Sequence, residues 1–280
     1  MTELFTTSTK IEKSNMFSEE YRTSIMYALP AMQSGHNACP DATDCAQMCI
    51  DTTGRMPMVK AAREYRSSLF YDNRAEFGAK LIAETEDNIK RNDKKGLRTA
   101  QRLNGTTDYA WEHIRFDYTR MRNGDILNIG EFPAKTIAQY RRSMPELFPD
   151  VQFYDYTKSV KRARQHASGT MPSNYHLTFS RSELTPDSLV TELVESGQNV
   201  AVVFDEIPET WLGLEVINGD EHDLRFLDGV GVIVGLKAKG PKAKKDTTGF
   251  VVRLVTEIID GQIVKLADGI TSAGLRGSNR

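Results

Sequence analysis

The chain has 280 residues, 39% of them hydrophobic, with 36 Lys and Arg set against 38 Asp and Glu for a formal net charge of −2. That is enough chain for one large domain with its own core, and no stretch approaches the roughly 20 apolar residues of a membrane span. The near-neutral balance excludes a general nucleic-acid binder with basic charge spread over its surface.

Residues 1–18 are rich in Thr, Ser, Lys and Glu with little periodicity, which predicts a loose N-terminal arm. Thr23 to Leu29 reads as a strand closed by Pro30, and directly after it comes HNACPDATDCAQMCIDTTGR. All three cysteines of the chain, Cys39, Cys45 and Cys49, fall in this run as C-x5-C-x3-C. An odd number of thiols with no apolar leader ahead of them predicts a reducing cytoplasm rather than disulfides. Clustered thiols predict a metal. Three thiolates hold an iron–sulfur cluster with one iron left open, or join His36 around a tetrahedral zinc. The spacing lacks the second ligand pair of a zinc finger, so a [4Fe–4S] cluster is the first expectation and zinc the alternative.

From Met58 to about Lys95 the pattern is helical, with Val59, Ala62, Tyr65 and Leu69 in one stripe and Phe77, Leu81, Thr85 and Ile89 in a second. Asp72 or Asn73 is the expected cap between two helices. Five further strand-like runs follow at Arg98 to Asn104, Val151 to Tyr156, Tyr175 to Ser180, Asn199 to Phe204 and Val230 to Leu236. Strands alternating with helices predict a parallel sheet, in an incomplete barrel or an open doubly wound form. The expected fold is α/β, a single domain built as a partial (β/α)6 TIM-like barrel with the three-cysteine loop after its first strand. The domain is expected over residues 19–250, with a C-terminal extension at 251–280.

In parallel α/β folds the ligand site gathers at the carboxyl ends of the strands. Here those ends are polar: the cysteine loop, then Asn104 to Asp108, then Asp155 and Lys158, then Ser180, Arg181 and Glu183, then Asp205 and Glu206, then Lys237 and Lys239. Each has an ordinary reading as a turn, cap or surface residue. Lys237 to Lys245 holds five lysines broken by Gly240 and Pro241, which reads as a solvated loop or a phosphate contact.

Several segments, in order, carry a resemblance: ALPA, NACPDATDCAQMCIDTTGR, RLNGTTD, LFPDVQFYDYTK, NYHLTFSRSE, NVAVVF and VINGDEHDLRFLDGVGVIVGLKAKG. They resemble the gene product 88 domain family of phage and plasmid proteins over most of residues 27–250. The resemblance implies a phage protein made in a bacterial host cytoplasm, and supplies no reaction. A second likeness is architectural. Radical S-adenosylmethionine enzymes place a three-cysteine loop, ordinarily C-x3-C-x2-C, after the first strand of a partial (β/α)6 barrel, and their open iron takes the amino and carboxylate groups of the cosubstrate.

On that plan Cys39, Cys45 and Cys49 ligate the cluster, while Asn104, Asp108, Ser180 and Arg181 hold S-adenosylmethionine. Asp155, Lys158, Glu183, Lys237 and Lys239 face a nucleotide, nucleic-acid or peptide substrate. The alternative is a non-catalytic binding or regulatory protein whose metal, zinc or iron–sulfur, staples the loop while Arg181 and the lysines contact nucleic acid or a host protein. A third reading, a transferase using Asp155, Asp220 and Asp223 with a divalent ion, is also open. No membrane partner is expected.

Overall fold

The computed structural model describes residues 2–52, 54, 56–120, 126–127, 139–259 and 262–267. Residues 2–18 are built into the fold where the sequence predicts a loose arm: strand β1 (Phe5–Thr6) pairs with β2 (Tyr21–Met26), and helix α1 (Thr9–Phe17) lies between them. Ser8 caps α1 by accepting from the Ile11 amide, and Leu4 and Ile11 are fully buried. After the cysteine loop, α2 (Lys60–Asp72) and α3 (Arg74–Asp93) break at Asn73, whose side chain accepts from the Glu76 amide. This is the expected cap.

The chain then runs through β3 (Arg98–Arg102), a small antiparallel sheet of β4 (Arg115–Arg120), β5 (Ile126–Leu127) and β6 (Gln139–Ser143), and the short helix α4 (Met144–Leu147). Next come β7 (Gln152–Thr157), α5 (Val160–Ala167), β8 (Tyr175–Ser180), α6 (Asp187–Glu195) and β9 (Val200–Phe204). The hairpin β10 (Thr210–Trp211) and β11 (Leu214–Asn218), then β12 (Ile233–Lys237), α7 (Gly240–Lys244) and β13 (Val251–Val252) complete the main body. A second hairpin, β14 (Leu254–Ile259) and β15 (Gln262–Ala267), follows.

Ten strands form one sheet in the order β1-β2-β3-β7-β8-β9-β12-β11-β10, with β13 added to β9. The pairs from β2 to β11 are all parallel, and antiparallel β1 and β10 end the path. All six strands read from the sequence are present in that parallel run. No pairing joins the two ends of the path among the described residues, so the sheet is open and a TIM-like barrel is not what forms. The chain order also reverses at one side, where β12 inserts between β9 and β11.

Strand β9 reads VAVVF and is buried along nearly its whole length, as a central parallel strand covered on both faces must be. Its first residues pair with β8 and its last two, Val203 and Phe204, with Val251 and Val252 of β13. The expected extension at 251–280 therefore begins inside the sheet, and its residues 268–280 lie outside the described residues. Among the described residues no helix is long and apolar enough to cross a membrane.

Candidate functional site

Parallel strands deliver their polar ends to one edge of the sheet, and there a cavity of about 850 Å³ opens. Cys39, Cys45 and Cys49 line it together with Asp108, Lys158 and Ser180, and so do Lys237 and Lys239. With Asp223, which lines it too, nine of the candidate site residues named from the sequence share one space.

The cysteine loop is tied down at both ends. The Ala38 amide donates to Ala31 O at 2.9 Å, and the Asp108 amide donates to Ala38 O at 2.9 Å, which joins the loop to the end of β3. The Ala31 amide donates to Cys39 Sγ at 3.4 Å, and that thiol donates to Thr106 O at 3.7 Å. At the far end, buried Arg63 reaches Asp51 at 3.5 Å and donates to the carbonyls of Ala28 and Asp51. Burial pushes the Cys39 thiol up to about 11 and the Cys49 thiol up to about 12. Both are thus protonated at neutral pH unless a cation replaces the proton.

Gly105 makes this junction possible. Its amide donates to Met26 O at 2.9 Å, and a Cβ at this position would stand 2.6 Å from that same carbonyl oxygen and 2.4 Å from the Tyr27 ring. Gly105→Ala is expected to cost about 1–3 kcal/mol, because a backbone atom has to yield. A lowered urea midpoint at unchanged slope is the measurement, and a midpoint equal to wild type would show that β2 and β3 can part there.

Asp108 accepts from Arg162 Nη1 at 2.7 Å through one oxygen, and from Thr157 Oγ1 at 3.1 Å and the Lys158 amide at 2.8 Å through the other. Burial raises its pKa, and the Arg162 guanidinium is the main opposing force. Lys158 Nζ donates to Ser180 O, Ser180 Oγ and Arg181 O at 3.1–3.2 Å, while burial lowers its pKa.

Asn104, Arg181, Asp155 and Glu183 do not line the cavity. Asn104 Oδ1 accepts from Thr107, the Tyr109 amide and Trp111 Nε1, and its Nδ2 donates to Tyr109 O. Asp155, fully enclosed, accepts from the Asn104 amide at 2.7 Å and Tyr175 OH at 2.9 Å, and burial pushes it up to about 7. These two clamp the ends of β3 and β7 from behind. Arg181 donates to the Gly249 and Phe250 carbonyls, and Glu183 accepts from the Asp44 amide in the cysteine loop. His36 is exposed and stacks on Tyr71 with ring centroids 3.9 Å apart, away from the cavity.

Nor do Asp155, Asp220 and Asp223 gather as a divalent-ion site. Asp220 holds Lys239 at 2.7 Å, whereas Asp223 is 1% exposed and sits between Lys10 at 3.0 Å and Arg102 at 2.7 Å. Among the described residues no three His, Cys, Asp or Glu side chains converge on one ion-sized position.

Sequence reasoning missed Lys10, Arg102 and Tyr156 as cavity residues, and it named Asp223 for a divalent ion rather than for Lys10 and Arg102. Arg102 and Tyr156 occupy strand ends, where an inward-facing polar side chain is the available signal; Lys10 gives none until α1 is known to fold back onto the sheet. The fold and the cavity define a class: an open α/β protein with a thiol-lined cavity at the carboxyl ends of its parallel strands. The family model described as Gene product 88 matches residues 2–254, and the chain belongs to that family. No curated protein and no solved structure matches it.

Proposed function

We propose that this is an iron–sulfur enzyme of the radical S-adenosylmethionine-like kind, acting in the cytoplasm of a bacterial host on a small-molecule or nucleic-acid substrate. The observation that carries the reading is that Cys39, Cys45 and Cys49 open into the same cavity as Asp108, Lys158 and Ser180 at the strand ends. The parallel run from β2 to β12 supports it by bringing these strand ends to one edge of an open sheet.

The donor set fits a cluster. Three soft thiols opening into one cavity are a donor set that suits iron–sulfur ligation. When bound, the cluster supplies the electron for reductive cleavage of the cosubstrate. The chain's own residues do the rest. Asp108 and Ser180 reach the cavity and would take the cosubstrate's polar groups, with Asn104 and Arg181 positioning the segments that carry them. Lys158, Lys237 and Lys239 face substrate, while Asp155 and Glu183 hold the wall behind. Met48, Met56 and Val59 give the same space an apolar stretch.

Purification without oxygen, followed by iron and sulfide analysis, tests the reading. About four irons per chain are expected, with an electron-spin spectrum of the reduced protein that changes when S-adenosylmethionine is added. Cys39→Ala should lose the iron, whereas His36→Ala should keep it. One zinc per chain with no visible chromophore, lost in His36→Ala, would replace this reading with a closed structural site.

A further inference from the structure

The charge of the cavity runs against the charge of the chain. The whole sequence is net −2. Yet the cavity lining carries six cationic side chains, Lys10, Arg66, Arg102, Lys158, Lys237 and Lys239, against only three anionic ones, Glu12, Asp108 and Asp223. Asp108 is already matched by Arg162 from behind the lining, and Asp223 alone answers both Lys10 and Arg102. Lys239 is held at 2.7 Å by Asp220, but Lys237 Nζ has no hydrogen-bond or ion-pair partner among the described residues. Arg102 spends Nη1 on Asp223 and leaves its Nε without an acceptor.

Cations gathered around one cavity in excess of their counter-charges set up a positive local potential that attracts an anion. Hydroxyl groups stand beside them. Thr6, Thr7 and Thr9 line the same space, and hydroxyl and ammonium donors together are the set that phosphate oxygens accept from. The remaining lining includes Met48, Ile50, Met56 and Val59, an apolar surface for the rest of a ligand.

We propose that the substrate is a 5′-mononucleotide, with its phosphate bound by Lys237, Lys239, Lys10 and Arg102 and its base against the methionine-rich wall. The proposal deepens the enzyme reading by naming the substrate class of the same cavity. It does not depend on the cluster, because the phosphate donors are all side chains outside the cysteine loop.

The test is calorimetric titration of the protein purified without oxygen. The four 5′-mononucleotides, their four nucleosides, inorganic phosphate and a single-stranded oligothymidylate of eight residues are the probes. At least one mononucleotide is expected to bind about tenfold or more tightly than its nucleoside, the scale of one or two charge-assisted hydrogen bonds. In the Lys237→Ala/Lys239→Ala double variant that advantage should vanish while nucleoside binding stays. Both lysines are exposed, so the variant is expected to keep the wild-type thermal midpoint. Equal affinity for nucleotide and nucleoside overturns the phosphate subsite, as does binding of no mononucleotide at all. Tighter binding of the oligonucleotide than of every mononucleotide overturns the choice of ligand and assigns the cations to a nucleic-acid backbone. Iron analysis of the same sample keeps this result separate from the fate of the cluster.

Discussion

Arg162→Met should destabilise the fold by about 3–5 kcal/mol, the usual cost of removing one partner from a buried ion pair. Arg162 is the centre of a two-carboxylate arrangement: Nε and Nη2 meet Glu112 at 2.7 and 2.9 Å, and Nη1 meets Asp108 at 2.7 Å. It also donates to Thr157 Oγ1 and Tyr175 OH. Methionine fills much of the same volume, so the loss is electrostatic rather than a cavity effect. Glu112 is left buried and Asp108 mostly enclosed without their cation, and Asp108, already raised by burial, loses the main force opposing that rise. The effect therefore extends from stability to the cavity rim, where Asp108 orders the Lys158 amide. Urea unfolding of wild type, Arg162→Met and Arg162→Lys at neutral pH measures it. Lysine should recover only part of the loss, since an ammonium cannot make the forked contact with Glu112. A variant within 1 kcal/mol of wild type would mean that the two carboxylates tolerate burial together by taking up protons.

The sequence makes β9 and β12 legible because a strand buried on both faces is a short, nearly continuous apolar run between turn residues. Tyr175–Ser180 has the predicted bounds, and the other five runs are displaced by only a few residues. Strand β11, LEVIN, escaped because only Val216 is buried, which leaves no run to read. Helix α1 was invisible for a related reason. Only Ile11 and Ser14 are buried in its nine residues, and its place depends on contacts with β2 and the distant Asp223.

The candidate site divides in the same way. Three cysteines close together in sequence announce themselves, and polar strand ends can be collected by assuming a parallel sheet. Whether such a residue points into the cavity or into the wall depends on neighbours that only the fold supplies. Asp155 and Asp108 look alike in sequence, yet Asp155 is closed off by Asn104 and Tyr175 while Asp108 reaches the rim.

Asp223 shows that dependence at its strongest and gives a result with a definite pH window. Asp223→Asn should cost about 3 kcal/mol or more at neutral pH, because it leaves Lys10 and Arg102 facing each other with no carboxylate between them. Burial alone would raise the Asp223 pKa, but Arg102, then Lys10 and Arg225, overcome it and hold the carboxyl well below the usual carboxylate range. A group whose folded pKa is depressed contributes stability above its unfolded pKa of about 4 and loses it as pH falls through the folded value. The stability gap between wild type and Asp223→Asn is therefore expected to be nearly constant from pH 7 to 5 and to close progressively below about pH 4, where wild type takes up the proton that the amide variant imitates. Urea midpoints of both proteins at pH 7, 5, 4 and 3 measure this. A gap that stays constant to pH 3 would mean that the carboxylate acts through its hydrogen bonds rather than its charge. A gap that narrows between pH 7 and 5 would place its pKa above the normal range and overturn the role of Lys10 and Arg102 as its counter-charges.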